Sequence, residues 1–361
     1  MRTWTRVFVT ALAVAALVSA GQLGIAYALG ILRWSQAFTG PTEHLWAAHL
    51  TWASYIAMVS VMAGALGGRR VIRRRGLRDG FGAWTVVAVA ALIGAAVTVP
   101  LVALPADASR VPAPLDPALN AGLAASLGGA VGFFAALALL AARPVAGGMT
   151  ATAVWVWLLA LASSGAWLKE TSTPHGQRLA VLDLPMLADP LEQDLVLPVM
   201  VGVAVLTGAA LAIYARWLGE HPLAAAASGL AGPALVGSAY LIAGPAGPAL
   251  DRREPWFAAL VAIGAGFVAS LLVTVLWRRR ADVDTAVPAT ATNVRSWPEA
   301  GGDPGGISPR PPAARAGDAA ISARPAAARA MAANSPDDDY VTWVAGLGAT
   351  TRRELPRQRG R

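Results

Sequence analysis

The sequence predicts an all-α fold, a polytopic transmembrane helix bundle of about eight spans with a disordered C-terminal tail. Three observations carry the prediction. The 361 residues are 56% hydrophobic with a mean hydropathy of +0.53. Only 14% are charged, where a soluble domain carries about 25%, and these gather in short arginine-rich segments between apolar runs long enough to cross a hydrocarbon core. Past residue 280 the large apolar residues nearly disappear.

The first span runs from Val7 to about Leu32 behind Arg2 and Arg6, and exceeds the roughly 20 helical residues a crossing requires. Val18-Ser19-Ala20 also offers the small-residue pattern of a signal-peptide cleavage site; cleaved or not, the chain emerges on the same side. The second span, Leu45 to Gly68, runs into Arg69-Arg70-Val71-Ile72-Arg73-Arg74-Arg75-Gly76-Leu77-Arg78, which belongs on the cytoplasmic side by the positive-inside rule. Further spans read as residues 81–104, 121–142, 150–168, 195–218, 223–246 and 257–277. The seventh is the least regular: Gly229, Gly232, Pro233, Gly237, Gly244 and Pro245 interrupt it, so a re-entrant segment competes with a full crossing. A seven-span chain would carry the tail outside, but Arg278-Arg279-Arg280 directly after the last span argues for the inside.

Alternating crossings put Arg2, Arg6, the Arg69–Arg78 cluster, Arg143, Arg216 and Arg278–Arg280 on one side. The other side holds Arg33, Arg110, Lys169, Arg178, Arg252 and Arg253. This imbalance predicts that both termini are cytoplasmic. Alanine dominates the apolar positions, and Lys169 is the only lysine among 29 basic residues, a bias expected of a high-GC bacterium, so the expected location is its plasma membrane. The net charge of +8 belongs to span-flanking arginines rather than to one face of a soluble domain; the bilayer is the expected partner and nucleic acid is not. With no cysteine in the sequence, disulfides, thiolate metal sites and cysteine nucleophiles are excluded. Trp34, Trp46, Trp84, Trp167, Trp217, Trp256 and Trp277 fall near span ends and read as interfacial anchors. Gly128 with Gly132 and Ala204 with Gly208 mark close helix contacts, because small side chains let backbones approach.

Polar groups inside spans are costly in hydrocarbon and therefore candidates for function. Gln22 and His49 are the best two. An interhelical hydrogen bond between them is the expected role, with substrate contact as the alternative. Glu43 and His44 before span two, Lys169, Glu170 and His175 after span five, and Asp183, Asp189, Glu192 and Asp194 beyond them could converge on an external site. His44 and His49 are about 140° apart round a helix, which disfavours a two-histidine metal motif. No P-loop, nucleophile elbow or helical zinc motif occurs, so no catalytic residue, metal or cofactor is expected.

Residues 281–335 are rich in Ala, Pro, Gly, Thr and Arg and cannot bury enough surface to offset their conformational entropy; a disordered linker is expected. The segment 336–361 opens with Asp337-Asp338-Asp339-Tyr340-Val341-Thr342-Trp343-Val344-Ala345-Gly346-Leu347. The aspartates favour a helix N-terminus, and Tyr340, Val344 and Leu347 share a face at i, i+4 and i+7, with Trp343 beside it. So short a helix folds best on a partner. Tyr340, Val341, Trp343, Val344 and Leu347 are the expected contacts for a cytoplasmic protein. With this tail segment and its Ala- and Arg-rich composition, the chain resembles uncharacterised multi-pass integral membrane proteins of actinobacteria, a resemblance that implies no activity.

The function expected is a non-enzymatic anchor or scaffold presenting a cytoplasmic docking peptide. The alternative is a transporter or permease for a small molecule, motivated by the Gly- and Pro-rich seventh span and by Gln22 and His49. An outer-face enzyme using Glu43, His44, Glu170 and His175 ranks last.

Overall fold

In the computed structural model the described residues are 2–35, 37–39, 43–111, 116–167, 177–182, 189–244 and 255–285. They belong to the unit Met1–Ala289; Thr290–Arg361 is a separate unit and lies outside them. The helices are α1 (Arg2–Ala28), α2 (Glu43–Arg74), α3 (Phe81–Ala95), α4 (Thr98–Ala106), α5 (Pro117–Ala141), α6 (Arg143–Trp167), α7 (Asp189–Trp217), α8 (Pro222–Ala243) and α9 (Pro255–Thr285). With α3 and α4 forming one broken span, they supply eight helices long and apolar enough to cross a membrane. The fold is thus an all-α, membrane-embedded bundle.

Local chemistry sets the helix ends. Asp116 caps α5 by accepting the Leu119 N–H at 3.0 Å, and Pro117 follows at the first helical position, where its missing N–H costs nothing. His221 and Pro222 play the same parts for α8, which ends at Gly244 with φ of 84°. The break at Ala96–Val97 traces to Pro100. Proline has no N–H to give the Ala96 carbonyl, which instead accepts from Val99 at 3.0 Å. Ser19 Oγ and Thr98 Oγ1, 2.5 Å apart and fully buried, tie α1 to this break.

Small residues make the closest helix contacts, and many large apolar side chains face outward. Leu17, Leu104, Phe134, Leu206 and Leu272 point outward, as suits a surface bathed in lipid, while alanine, glycine and serine fill the helix contacts. Lipid tails are as apolar as leucine, so close packing rather than apolar burial holds such helices together. Two helices are central: 78% of the apolar window of α2 and 61% of that of α8 are buried, against 22% for α1 and 28% for α7 and α9. In the first half α2 packs on α1, α3 and α5; in the second α8 packs on α6, α7 and α9; the halves meet along α2–α8, α5–α8 and α5–α6.

Both small-residue pairs lie at such contacts. A Cβ at Gly128 would overlap the Ser54 backbone of α2, and one at Gly132 would come within 2.8 Å of Met58 Cα. Gly208 of α7 meets Gly229 of α8 and Gly266 of α9 in a three-helix junction, where a Cβ on Gly208 would lie 2.8 Å from the Gly266 carbonyl oxygen. Ala204 borders the same junction.

The seventh span is, as the eight-span reading expects, one continuous apolar helix: α8 has 22 residues with Pro233 inside it, because Gly229 and Gly232 serve as contact faces for α9 and α6 and proline is tolerated in a helix packed on neighbours. Two expectations need correction. The last helix continues past Arg280 to Thr285, so residues 281–285 are helical rather than part of the expected linker. Arg and Ala are good helix formers, and Asp282 and Asp284 follow Arg278 and Arg280 at i+4 spacing. Trp34 and Trp46 are not lipid-facing anchors but are buried, at 2% and 7% exposure.

Candidate functional site

One end of the bundle, called here the arginine side, carries Arg69–Arg78, Arg143 and Arg216. Asp79 there accepts from Arg69 Nε at 3.3 Å and from the Trp84 indole, and Arg143 lies 3.8 Å from Glu220. The opposite end is more elaborately built, and Gln22 and His49 lie toward it.

They do not bond to each other. The Arg33 backbone N–H donates to His49 Nε2 at 2.9 Å, which makes Nε2 the acceptor and leaves Nδ1–H to donate to the Leu45 carbonyl at 2.7 Å. Both ring nitrogens are thereby engaged. Around His49, the rings of Trp34, Phe38 and Trp46 close a buried edge-to-face cluster with centroids 5.2–5.3 Å apart. Gln22 Oε1 instead accepts from Trp157 Nε1 of α6 at 3.0 Å. The expected clasp fails because a nearer backbone donor from the α1–α2 connection reaches the imidazole first, and because α6 presents an indole to Gln22.

The α1–α2 connection is stitched down further. Tyr27 OH donates to the Leu101 carbonyl at 2.8 Å and accepts from Trp34 Nε1 at 3.1 Å. Leu101 is the residue whose helical partner would be the N–H of position 105, and Pro105 has none. Ser109 Oγ donates to the Trp34 carbonyl at 2.6 Å, and Phe38 N–H to Arg110 O at 2.9 Å.

Between the halves lies a second polar chain. Trp52 of α2, 1% exposed, packs against Trp157 with ring centroids 5.6 Å apart and planes tilted by 57°, and donates its indole N–H to the Gln177 carbonyl at 2.8 Å. The Gln177 side-chain amide donates to the Ala160 carbonyl and Ser164 Oγ, each at 3.2 Å, and Tyr240 OH of α8 donates to Leu179 O at 2.6 Å. Residues 177–182 are thus a short non-helical segment drawn into the bundle, and within it Ala180 takes the left-handed conformation at φ 58°. Gln177 Oε1 and the buried Tyr55 hydroxyl have no hydrogen-bond partner among the described residues.

Ala180 helps to line a small, half-open crevice between α6, α7, α8 and α9. Its walls are chiefly apolar, with Trp155, Met200, Val203 and Pro233 among them.

The remaining candidates do not enter this geometry. Tyr340, Val341, Trp343, Val344 and Leu347 lie outside the described residues, as do Lys169, Glu170, His175 and Asp183; Glu43, His44, Asp189, Glu192 and Asp194 have helical backbone but undescribed side chains. Among the described residues no group of three or more His, Cys, Asp or Glu converges to hold a metal. Sequence reasoning missed Trp52, Trp157 and Gln177. The available signal was the apolar run Leu179-Ala180-Val181-Leu182 inside a connection otherwise polar.

No family model matches the chain, and neither a curated protein nor a solved structure matches it significantly.

Proposed function

We propose that this protein is a cell-membrane anchor or scaffold, with its arginine side toward the cytoplasm, that presents Tyr340, Val341, Trp343, Val344 and Leu347 to a cytoplasmic protein. One observation supports the reading most: apart from the Tyr55 hydroxyl, the Trp46 indole N–H and Gln177 Oε1, the buried polar groups described above are committed to the bundle itself. His49 holds the Arg33 backbone, Gln22 holds Trp157, Ser19 holds Thr98 and Gln177 holds α6, which is the construction of a rigid platform rather than of a polar solute path. The α8–α9 contact agrees with tail presentation. Ser270 Oγ donates to Ala226 O near the arginine-side end of α8, so α9 runs on to Thr285 at that end.

The test is affinity capture of the full chain beside a chain ending at Thr285 and beside Trp343→Ala, with bound proteins identified by mass spectrometry. Partners bound by the full chain alone are expected; equal recovery from all three would reject the reading. The crevice beside Pro233 favours a second reading, a permease for a small apolar molecule. That reading requires solute flux through the tail-less chain, and flux that changes with Trp155→Ala; flux absent, or untouched by that change, rejects it.

A further inference from the structure

The arginine side carries more positive charge than its own carboxylates neutralise. Among the described side chains at that end, Asp79 is taken by Arg69 and Glu220 lies beside Arg143. Arg70, Arg73, Arg74, Arg75 and Arg78 are exposed, and their guanidiniums have no ion pair or hydrogen bond among the described residues. The C-terminal end of a helix favours cations in its last turn, which suits Arg73 and Arg74. It does not account for Arg70, a turn earlier, or for Arg78, beyond the helix.

These arginines are held in a fixed geometry. Ile72 is fully buried, the Leu77 N–H donates to the Ile72 carbonyl at 3.1 Å and the Gly76 N–H to the Arg73 carbonyl at 3.2 Å, with Gly76 at φ 62°. That is the two-bond closure of a helix end, with partly buried Leu77 on the core beside Ile72. Just beyond it, Asp79 ties Arg69 to the Trp84 indole of α3. Fixing the orientation of a span requires positive charge but no such order. Arg70, Arg73 and Arg74 follow at i, i+3 and i+4 on the face turned away from Ile72, a spacing at which like charges repel. An anion seated between them relieves that repulsion. Their depth names its source: Arg70 stands 25 residues from Leu45, about 38 Å along α2. A hydrocarbon core of about 30 Å and a headgroup layer of about 5–7 Å end at that level. Arg73 and Arg74 lie one turn further, within reach of the same layer by their own stems, and any tilt of α2 brings them nearer.

We infer that the ordered basic ledge at the end of α2, with Arg70, Arg73 and Arg74 at its centre, binds the phosphate of an anionic phospholipid headgroup in the leaflet it borders. Guanidiniums suit this ligand because their paired N–H groups match two phosphate oxygens at once. The inference is independent of the tail reading, since it concerns residues 69–84 alone.

Native mass spectrometry of the full chain tests it, after reconstitution in equal parts of 1-palmitoyl-2-oleoyl phosphatidylglycerol and the matching phosphatidylcholine and extraction in mild detergent. The two lipids share their acyl chains, so only the headgroup distinguishes them. Bound phosphatidylglycerol is expected to exceed phosphatidylcholine by about fivefold or more, the contribution of a single arginine near a charged surface. The triple variant Arg70→Gln, Arg73→Gln, Arg74→Gln lowers that ratio about threefold or more. Arg74→Gln alone leaves the other arginines of the loop to orient the span; it lowers the ratio about twofold and decides the matter if the triple variant does not insert. Arg33→Gln with Arg110→Gln, both exposed at the opposite end, keeps the parent's ratio, and a fall there as large as in the triple variant overturns the assignment to the ledge. Excess inorganic phosphate during extraction leaves the lipid bound; its displacement would show a site for the free ion instead. A parent ratio near one, or the same ratio in the parent and a folded ledge variant, overturns the inference.

Discussion

Tyr27→Phe removes one oxygen that serves two partners. The hydroxyl donates to Leu101 O at 2.8 Å and accepts from Trp34 Nε1 at 3.1 Å. Hydrogen bonds between membrane helices contribute about 0.6 kcal/mol on average and up to about 1.7, so the substitution costs about 1–3 kcal/mol. Most of the upper range comes from stranding Leu101 O, which has no helical donor because position 105 is proline. Pro105→Ala restores an N–H four residues on, and Leu101 O then has a partner inside its own helix. In that background Tyr27→Phe loses only the Trp34 bond. The double-mutant cycle should show a coupling of about 0.5–1.5 kcal/mol. Unfolding of purified protein by SDS titration in mixed micelles, followed through near-ultraviolet circular dichroism of the tryptophans, measures all four corners. Additivity within about 0.3 kcal/mol would refute the assignment of Tyr27 as the surrogate donor for Pro105.

In the same assay, Gly266→Ala should destabilise by about 1–3 kcal/mol, since its methyl would overlap the Gly229 carbonyl across the α8–α9 contact, whereas Gly264→Ala, with open space around it, should be neutral or stabilising by up to about 1 kcal/mol. Ala180→Gly should stabilise by up to about 1 kcal/mol by relieving the left-handed backbone at φ 58°; a loss instead would mean the packing of the Ala180 methyl, which is buried, matters more than its backbone costs. His49→Leu should cost about 1–3 kcal/mol by orphaning the Arg33 N–H, and His49→Gln should recover part of that if its side-chain oxygen reaches the same donor. Equal losses in the two variants would show that ring packing against Trp34 and Phe38, not the hydrogen bond, sets the value.

Span positions were legible because arginine clusters and apolar runs are properties of consecutive residues. Leu45–Gly68 and Leu45–Arg74 differ only where the helix carries on into its own basic cap. The small-residue pairs were legible for a related reason, since four-residue spacing fixes a face. Misreadings arose where one residue type serves two purposes. Glycine and proline in α8 look like helix breakers, yet Gly229 and Gly232 are contact surfaces that permit the helix to pack. Pro100, unremarked inside an apolar run, does break its span. Tryptophan near a span end can face headgroups or the interior, and Trp34 and Trp46 are drawn inward because Phe38 and His49 complete a ring cluster with them. The pairing of Gln22 with Trp157, 135 positions apart, depends on how the two halves dock, which no local pattern specifies. The tail motif is the reverse case, prominent in sequence but outside the described residues.

The bond from Trp52 to the Gln177 carbonyl also has a bearing on biogenesis. Its two partners are separated by 125 positions, and at a synthesis rate of about 5–20 residues per second the acceptor leaves the ribosome roughly 6–25 s after the donor. Throughout that interval α2 is already in the bilayer with an indole N–H that lacks its eventual partner. The first four spans can therefore pack on one another as they are inserted, but Trp52 cannot yet make its final hydrogen bond. Until the fifth span and the segment behind it arrive, lipid headgroups, water or the insertion machinery must serve the indole N–H in the place that residue 177 later takes.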